Sequence, residues 1–510
     1  MIQRKAISQW VFAAVAGLVL ASPAQALDLD WSGQFWSEAH WVSGYTLGNG
    51  QLPDARASAG GYTVSGGGSD SAHFQTLFAR LRPRVVINDN VYLKSEWWVG
   101  DPIYGVFGGS APYPTDQRQY YSNQSRGSSI TAQRLWLEVV SDVGTLQVGR
   151  APLHWGLGLV WNSGEEAFSR YPSTGDLVRL VSKFGSFSFV PSIVKYSQGN
   201  SIGGACSYPN LAATQCVPTA GRQTVSDYSL QLKYENADED LEGGVNFVKR
   251  IAASAQSSAA GYQGVTGVGA GSHFNTWDLY GRKRWGKFSL AGEVPLASGD
   301  LGGVKMDTFA VATEATYQWS DSWSTFLKAG MVPGQKNISG ATPDTFDAFY
   351  VNPNYKIGLI LFNYSLNRFG GPSTVNDPQT AASQLQSIYD NPITNANYVS
   401  LGGAYQLDKW RFHTNWVYAT ARETAQPNSR FFNSWSRTYQ TAASGVSAQS
   451  SSLGLEADFG ATLKYDDALQ AGLTFGWWMP GDFFAFSNVA GSPNLTNSVF
   501  ASVLSLTVGF

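Results

Sequence analysis

Charge is what this chain has least of. Only 14% of its 510 residues are Asp, Glu, Lys or Arg, where a soluble domain carries about 25%. The formal balance is −3, which argues against nucleic acid as a partner. Long apolar runs are equally scarce. Beyond residue 26 no stretch of roughly 18 apolar residues occurs, so no membrane-spanning helix is expected there. The five histidines, His40, His73, His154, His273 and His413, are scattered. They show no His-Glu-x-x-His and no pair at ligand spacing, and no phosphate or calcium loop is present, so the expectation is no enzyme, no metal and no cofactor. Cys206 and Cys216 are the two cysteines, both in one Gly/Ser/Pro/Asn-rich segment without a nearby His. In an exported chain they are expected to form a disulfide that staples a surface loop.

In place of charge the chain carries 14% aromatic residues and 55 Gly. Its first 26 residues read as a secretory leader: Arg4 and Lys5, the apolar run Val11–Leu20, then the small-x-small site Ala24-Gln25-Ala26. Val11–Leu20 is too short to span a bilayer. The expected division is therefore a signal peptide over 1–26 and a single domain over 27–510.

That domain alternates. In Asn497–Phe510, Phe500, Leu504, Leu506, Val508 and Phe510 share one face with Ser502, while Ser505, Thr507 and Gly509 lie on the other. A strand has a side-chain period of two, so this is one apolar and one small polar face. A terminal strand ending in Phe resembles the C-terminal signal of Gram-negative outer-membrane β-barrels. The resemblance implies an outer-membrane location, lipid and lipopolysaccharide as surroundings, and the barrel-assembly machinery as a partner in biogenesis. The composition agrees, since such barrels combine aromatic girdles with a small-residue lumen.

Short turns and long loops then follow each other along the chain. Turns are expected at Asn88-Asp89-Asn90, Ser141-Asp142-Val143, Gly185-Ser186, Ala237-Asp238-Glu239, Trp285-Gly286, Ser320-Asp321-Ser322, Leu407-Asp408 and Asp466-Asp467. Nine longer connections lie between them, near 47–72, 101–128, 160–175, 199–222, 254–272, 299–306, 334–395, 422–451 and 486–493. The pattern predicts an all-β fold, a transmembrane antiparallel barrel of about 18 strands with short periplasmic turns and long extracellular loops. Asp30–Val42 already alternates, so no plug domain is expected. Within 334–395, Phe346–Phe362 reads as part of a folded-in loop and Ala381–Tyr389 as a short helix. Trp31, Trp41, Trp97, Trp98, Trp285, Trp319, Trp323, Trp410, Trp477 and Trp478 fall where strands meet turns or loops, as girdle residues do.

Candidate pore-lining residues follow from the same alternation. If Leu77, Ala79, Leu81, Pro83, Val85 and Ile87 face lipid, then Arg80, Arg82 and Arg84 face the lumen, with Lys94, Arg134 and Arg179 extending the ladder. Each Arg turned to lipid would cost roughly 2–4 kcal/mol near the midplane. The segment Gly144-Thr-Leu-Gln-Val-Gly-Arg150 resembles the porin strand that leads into the constriction loop. Leu146 and Val148 are even and Ala151, Leu153, Leu157 and Leu159 are odd. A bulge at Gly149–Arg150 would reconcile them on the lipid face and turn Arg150 and His154 into the lumen. Glu165, Glu166 and Arg170 would then sit on the constricting loop opposite a basic wall, and such walls set ion preference.

The resulting expectation is a porin-like channel for small hydrophilic solutes, anionic ones or saccharides first. Its architecture is similar to the 18-stranded alginate-export barrels, and a homo-oligomer stays open. The alternative is a closed barrel acting as a surface adhesin or as a polysaccharide-anchoring, capsule-assembly protein. Burial of the inward aromatics Trp36, Phe78, Trp98, Trp136 and Trp478 would favour the closed reading.

Overall fold

The computed structural model describes residues 28–45, 47–48, 71–100, 130–198, 224–252, 272–301, 304–340, 343–364, 391–433 and 438–510. The leader, both cysteines and the expected helix over 381–389 lie outside these residues. Among the described residues no helix occurs.

Strand β1 (Asp28–Asp30 and Gly33–Ser43) and β2 (Ser71–Leu81 and Arg84–Asn88) are each broken once by two residues. In β2 the break contains Pro83, which has no N–H to give the ladder. Then come β3 (Val91–Val99), β4 (Ile130–Ser141), β5 (Gly144–Pro152), β6 (Thr174–Phe184), β7 (Phe187–Gln198) and β8 (Thr224–Asn236). They are followed by β9 (Leu241–Ala252), β10 (Ser272–Trp285) and β11 (Phe288–Leu301). Strand β12 is split at Ala310 into Val304–Phe309 and Val311–Gln318, and β13 spans Trp323–Val332. The set ends with β14 (Ala396–Leu407), β15 (Trp410–Ala421), β16 (Ser452–Lys464), β17 (Leu469–Pro480) and β18 (Val499–Gly509).

Each strand pairs antiparallel with the next, and β18 returns to β1, with Gln34 opposite Gly509 and Ser43 opposite Phe500. The sheet is a closed barrel of eighteen strands, which leaves no unpaired edge and so meets the one backbone condition lipid imposes. Phe510 completes the seam by exchanging backbone hydrogen bonds with Gly33. All eight expected short turns join consecutive strands at one end. The connection expected near 299–306 is instead a tight hairpin, because Leu301 already lies opposite Val304.

The outer surface is apolar as the alternation requires. Leu77, Val178, Leu279, Leu401, Phe475 and Leu504 are all exposed. Trp31, Trp285, Trp319, Trp323 and Trp410 stand out at the short-turn end, and Trp285 stacks on Phe288 with ring centroids 5.8 Å apart. Trp98 and Trp478 depart from the girdle expectation: both point inward and are buried.

Two connections run into the barrel, residues 153–173 and the described residues between 333 and 395. The second was legible as an inward loop, and apart from Thr345–Phe346, paired in parallel with Lys305–Met306, its described part is irregular. The two segments touch, Asn352 N donating to Leu159 O at 2.7 Å and the Arg170 and Tyr171 N–H groups both donating to Asn354 Oδ1 at 2.9 Å. Together they cover a large apolar core. Leu159, Val351, Ile357, Ile360 and Phe362 pack there against the inward faces of β12–β18 and β1, including Val42, Val332, Val417 and Trp478.

The expected bulge at Gly149–Arg150 is absent. Strand β5 pairs without a register shift on both sides, so Arg150 keeps the outward phase of Leu146 and Val148. It lies opposite the exposed Leu135 and binds Asp176 with both nitrogens, at 2.7 and 3.0 Å. Ala151 and Leu153 are buried inward, not turned to lipid. The chain leaves the wall after Pro152 and enters the lumen, so its odd apolar residues meet a core and no change of phase is needed.

Candidate functional site: the polar side of the lumen

The arginine ladder faces inward, but its members hold the first inward segment in place. Arg80 is 1% exposed. Its Nη1 donates to Gly164 O at 2.8 Å, its Nε lies 3.8 Å from Glu96, and its guanidinium sits over the Trp36 ring. Arg134 is equally buried and donates to Glu96 Oε2 at 3.1 Å, Glu165 Oε1 at 2.8 Å and Ser163 O. Arg82 pairs with Glu96 at 2.9 Å and also with Glu165. The expected opposition of a basic wall and an acidic loop has thus closed into direct contact. Glu166 is exposed, and Arg170 is tied to Glu38 and to Phe168 O. Arg84 lies nearer the short-turn end, 3.6 Å from Asp30 and over the Tyr92 ring, and Lys94 pairs with Glu138 at 2.6 Å. Trp36, Phe78 and Trp98 pack on Phe168 beside this network, and Trp136 is only partly buried.

The opposite wall holds the inward segments by their N–H groups. Glu293 of β11 accepts from Gly158 N at 3.0 Å and Leu159 N at 3.1 Å. Glu456 of β16 accepts from Ile360 N and Leu361 N, both at 2.7 Å, and its neighbour Asp458 accepts from Leu359 N at 3.2 Å. Both clasps need glycine. A Cβ on Gly156, whose φ is +55°, would come within 2.5 Å of Glu293 Oε2, and one on Gly358 within 2.8 Å of Glu456. The first segment is therefore strung across the lumen, carbonyls and carboxylates to the arginines and N–H groups to the acids. These clasps were missed from sequence. Their signal is a Gly-flanked apolar run, Gly156–Val160 or Gly358–Leu361, paired with an inward acid that has no basic neighbour.

Space remains on one side. A cavity of about 770 Å³ opens at the short-turn end, lined by Glu235, Glu242, Arg282, Arg284, Lys287 and Gln318 among others. A second, of about 540 Å³, lies at the long-loop end between Trp161, Tyr196, Arg250, Tyr350 and Asn352. Both border β7–β12. Lys233 bridges Glu235 at 2.5 Å and Glu242 at 3.1 Å, and Arg250 grips the buried Asp227 with two bonds of 2.9 Å. Arg179 is held by Gln147 Oε1 at 2.7 Å. Arg284 and Lys287 bond only to the carbonyls of Gly286 and Trp319 among the described residues. The exposed His154 imidazole is held below its usual range by partial burial and then by the charge of Lys233. Of the sequence-selected residues, His154 lies near Lys233 on this side and Arg179 borders it, bound to Gln147 and to Pro152 O, while Arg80, Arg82, Arg134, Glu165 and Arg170 belong to the fastened side.

A closed even-numbered barrel, aromatic residues at its short-turn rim, an apolar outer face and a connection folded into the lumen settle the architecture. It is a closed antiparallel β-barrel of eighteen strands with a membrane-compatible apolar outer face.

No protein-family model and no curated protein matches the chain. Among solved structures it is similar to OccK9 (OpdG) of Pseudomonas aeruginosa, at 11% identity over 95% of this chain and 99% of that one, with a TM-score of 0.47. The outer membrane protein OprD of the same organism matches at 10% identity over 96% of both chains, TM-score 0.46. OmpT, an outer membrane protein of Vibrio cholerae, matches at 9% over 96% of this chain and the whole of its own, TM-score 0.37.

Proposed function

We propose that this barrel is a narrow channel for small hydrophilic solutes, with passage confined to the side of the lumen bordered by β6–β12. The observation that carries this reading is the pair of cavities at opposite ends of that one side, the short-turn one lined by charged side chains and the long-loop one by aromatic residues and Arg250. Towards the short-turn end the inward residues Lys233, Glu235, Glu242 and Arg282 are charged and partly exposed. Beyond them the wall stays polar but buried, whereas the other half is packed with apolar side chains. A polar path against a low-dielectric wall concentrates the ion it attracts. Arg179, Arg284 and Lys287 form no ion pair at contact distance among the described residues, although Glu138 lies near Arg179, which supports a preference for anions.

Purified protein in planar bilayers tests this. The wild type should give discrete conductance steps and prefer anions. Replacing Arg179, Arg284 and Lys287 together by Gln should move the preference towards cations, and the shift should shrink as the Debye length falls from about 10 Å at 0.1 M salt to about 3 Å at 1 M. Unchanged selectivity would remove these residues from the path. Absence of any conductance would favour a second reading, a closed barrel whose long loops act as an adhesin or polysaccharide anchor. The observation behind that alternative is the burial of Trp36, Phe78, Trp98 and Trp478 against the inward segments.

A further inference from the structure

The two clasps have the same parts but differ in completeness. In the second, Asn415 stands opposite Asp458 across β15 and β16. Its Nδ2 donates to Asp458 Oδ2 at 3.3 Å and to Ile357 O at 2.8 Å, and its Oδ1 accepts from Ser400 at 2.6 Å. The acid pair, its amide and the inward segment form one connected network.

The first clasp repeats the design. Asn246 stands opposite Asp278 across β9 and β10, so their side chains share the inward face at neighbour distance. Glu293 stands opposite Tyr280 on β11, diagonal to Asp278 on the same inward face, and it holds Gly158 and Leu159. All three side chains are fully buried. Here, however, neither polar atom of Asn246 has a partner, and neither carboxylate oxygen of Asp278 receives an N–H or O–H donor. Two carboxylates and an unpartnered amide thus share one buried inward patch, with only Glu293 offset by backbone donors. Leaving such groups unpaired in a dry site costs far more than leaving them on a surface.

We propose that Asp278, Glu293 and the Asn246 amide oxygen bind a hard cation of the calcium class, which fastens residues 157–159 to the wall. Carboxylate and amide oxygens are the ligands such cations take, and a flexible coordination number suits a three-sided donor set completed by water or backbone carbonyls. The second clasp is better supplied: Asn415 and three N–H groups reach its two acids and leave one carboxylate oxygen, Asp458 Oδ1, without a donor. The proposal does not depend on the channel reading. A closed barrel would hold the same ion.

Terbium is a suitable probe. Tyr280 lies opposite Glu293 and its ring is 6.4 Å from that of Trp155, so aromatic excitation can sensitise a lanthanide bound there. Folded full-length barrel, stripped with a chelator, should show saturable terbium emission that calcium competes away, and calcium should raise the temperature at which the folded band is lost on gels. Asp278→Asn should abolish both effects, while Asp458→Asn in the other clasp should keep them. Should Asp278→Asn fail to fold, Asn246→Leu retains both carboxylates and should still weaken terbium binding by roughly tenfold or more, the scale seen when a supporting group of a metal site is lost. Emission equal to wild type in Asp278→Asn or Asn246→Leu would overturn the proposal. So would a wild type that calcium neither competes with nor stabilises, in which case the two acids share a proton.

Discussion

The two halves of the lumen obey one rule of alternation and have opposite fillings. Along β12–β18 and β1 the inward residues include Val42, Ala312, Val332, Val417, Trp478 and Ala501, and chain from both inward segments covers them. Along β7–β10 the inward set includes Ser192, Asp227, Ser229, Asn246 and Asp278, and water-sized space remains at either end. A barrel wall does not dictate whether its interior is wet. An apolar inward face recruits a loop as its own core, and a polar one can be left open. The difference between a filled and an unfilled barrel interior is here made within a single molecule.

The largest effect should come from emptying the packed half. Trp478 is fully buried and meets Phe484 edge to face at 5.0 Å. Trp478→Ala should destabilise the barrel by about 3–5 kcal/mol, the range for large aromatic truncations, read by urea unfolding in micelles. In the polar half, Arg282→Ala should stay within about 0.5 kcal/mol, since Arg282 is half exposed and bound only at its tip to Glu242. Equal losses at the two positions would erase the distinction between the halves.

Next in size is the boundary between them, where arginines pin the first inward segment. Arg134→Leu leaves the buried Glu96 with one fewer cation and frees Ser163 O. Breaking a buried pair from one side costs about 3–5 kcal/mol, and Arg82 and Arg80 still reach Glu96, so the lower end of that range is expected. Arg134→Lys should recover little, because one ammonium cannot span Glu96, Glu165 and Ser163 O. Folding stability and susceptibility of residues 153–173 to protease would report it. Retained stability with a more open pore would show that the arginines guide solute and do not fasten the loop.

Much of this was legible in the sequence. The period of two in Asn497–Phe510 and the eight turn tripeptides and dipeptides define the barrel, because lipid outside enforces alternation on every strand. Phe346–Phe362 could be read as an inward loop, since it has apolar residues but no turn to make it a hairpin. Arg150 was misplaced for a physical reason. Alternation alone assigns Leu153, Leu157 and Leu159 to lipid, as it does most apolar residues of a barrel strand, and needs a bulge to reconcile them with Leu146. They face a core that exists only because the chain turns inward at Pro152. The lumen ladder of Arg80, Arg82 and Arg84 has the right face, but alternation says nothing about depth or partners. Glu96 and Gly164 O reach Arg80 from β3 and from a segment some eighty residues away. The clasps at Glu293 and Glu456 depend on the same long-range approach.

A smaller effect tests the corrected position of Arg150. Its bidentate pair with Asp176 sits on the outer face among Leu135 and Val178. Both groups are partly exposed, so the pair should contribute no more than about 1 kcal/mol. Removing one partner leaves a lone charge towards lipid, whereas Arg150→Leu with Asp176→Leu extends the apolar band. The single Arg150→Leu should therefore be less stable than wild type and the double variant about equal to it, with ion selectivity unchanged in both. A change in selectivity would return Arg150 to the lumen.

The smallest expected effect lies in the polar half and depends on pH. Partial burial and Lys233 hold the His154 imidazole below its ordinary range, so the folded chain takes up this proton at lower pH than the unfolded one. The stability this contributes is complete above the ordinary imidazole range and is lost as pH falls through the lowered value. The loss should be slight because the ring still meets lumen water. Protonation also adds a positive charge beside Lys233 on the side assigned to solute. Anion preference in planar bilayers should accordingly rise as the solution is acidified from neutral pH, and His154→Gln should flatten that rise while leaving the neutral-pH value nearly as it was. If His154→Gln keeps the full pH response, the titrating group lies elsewhere, and if neither protein responds, the path does not pass His154.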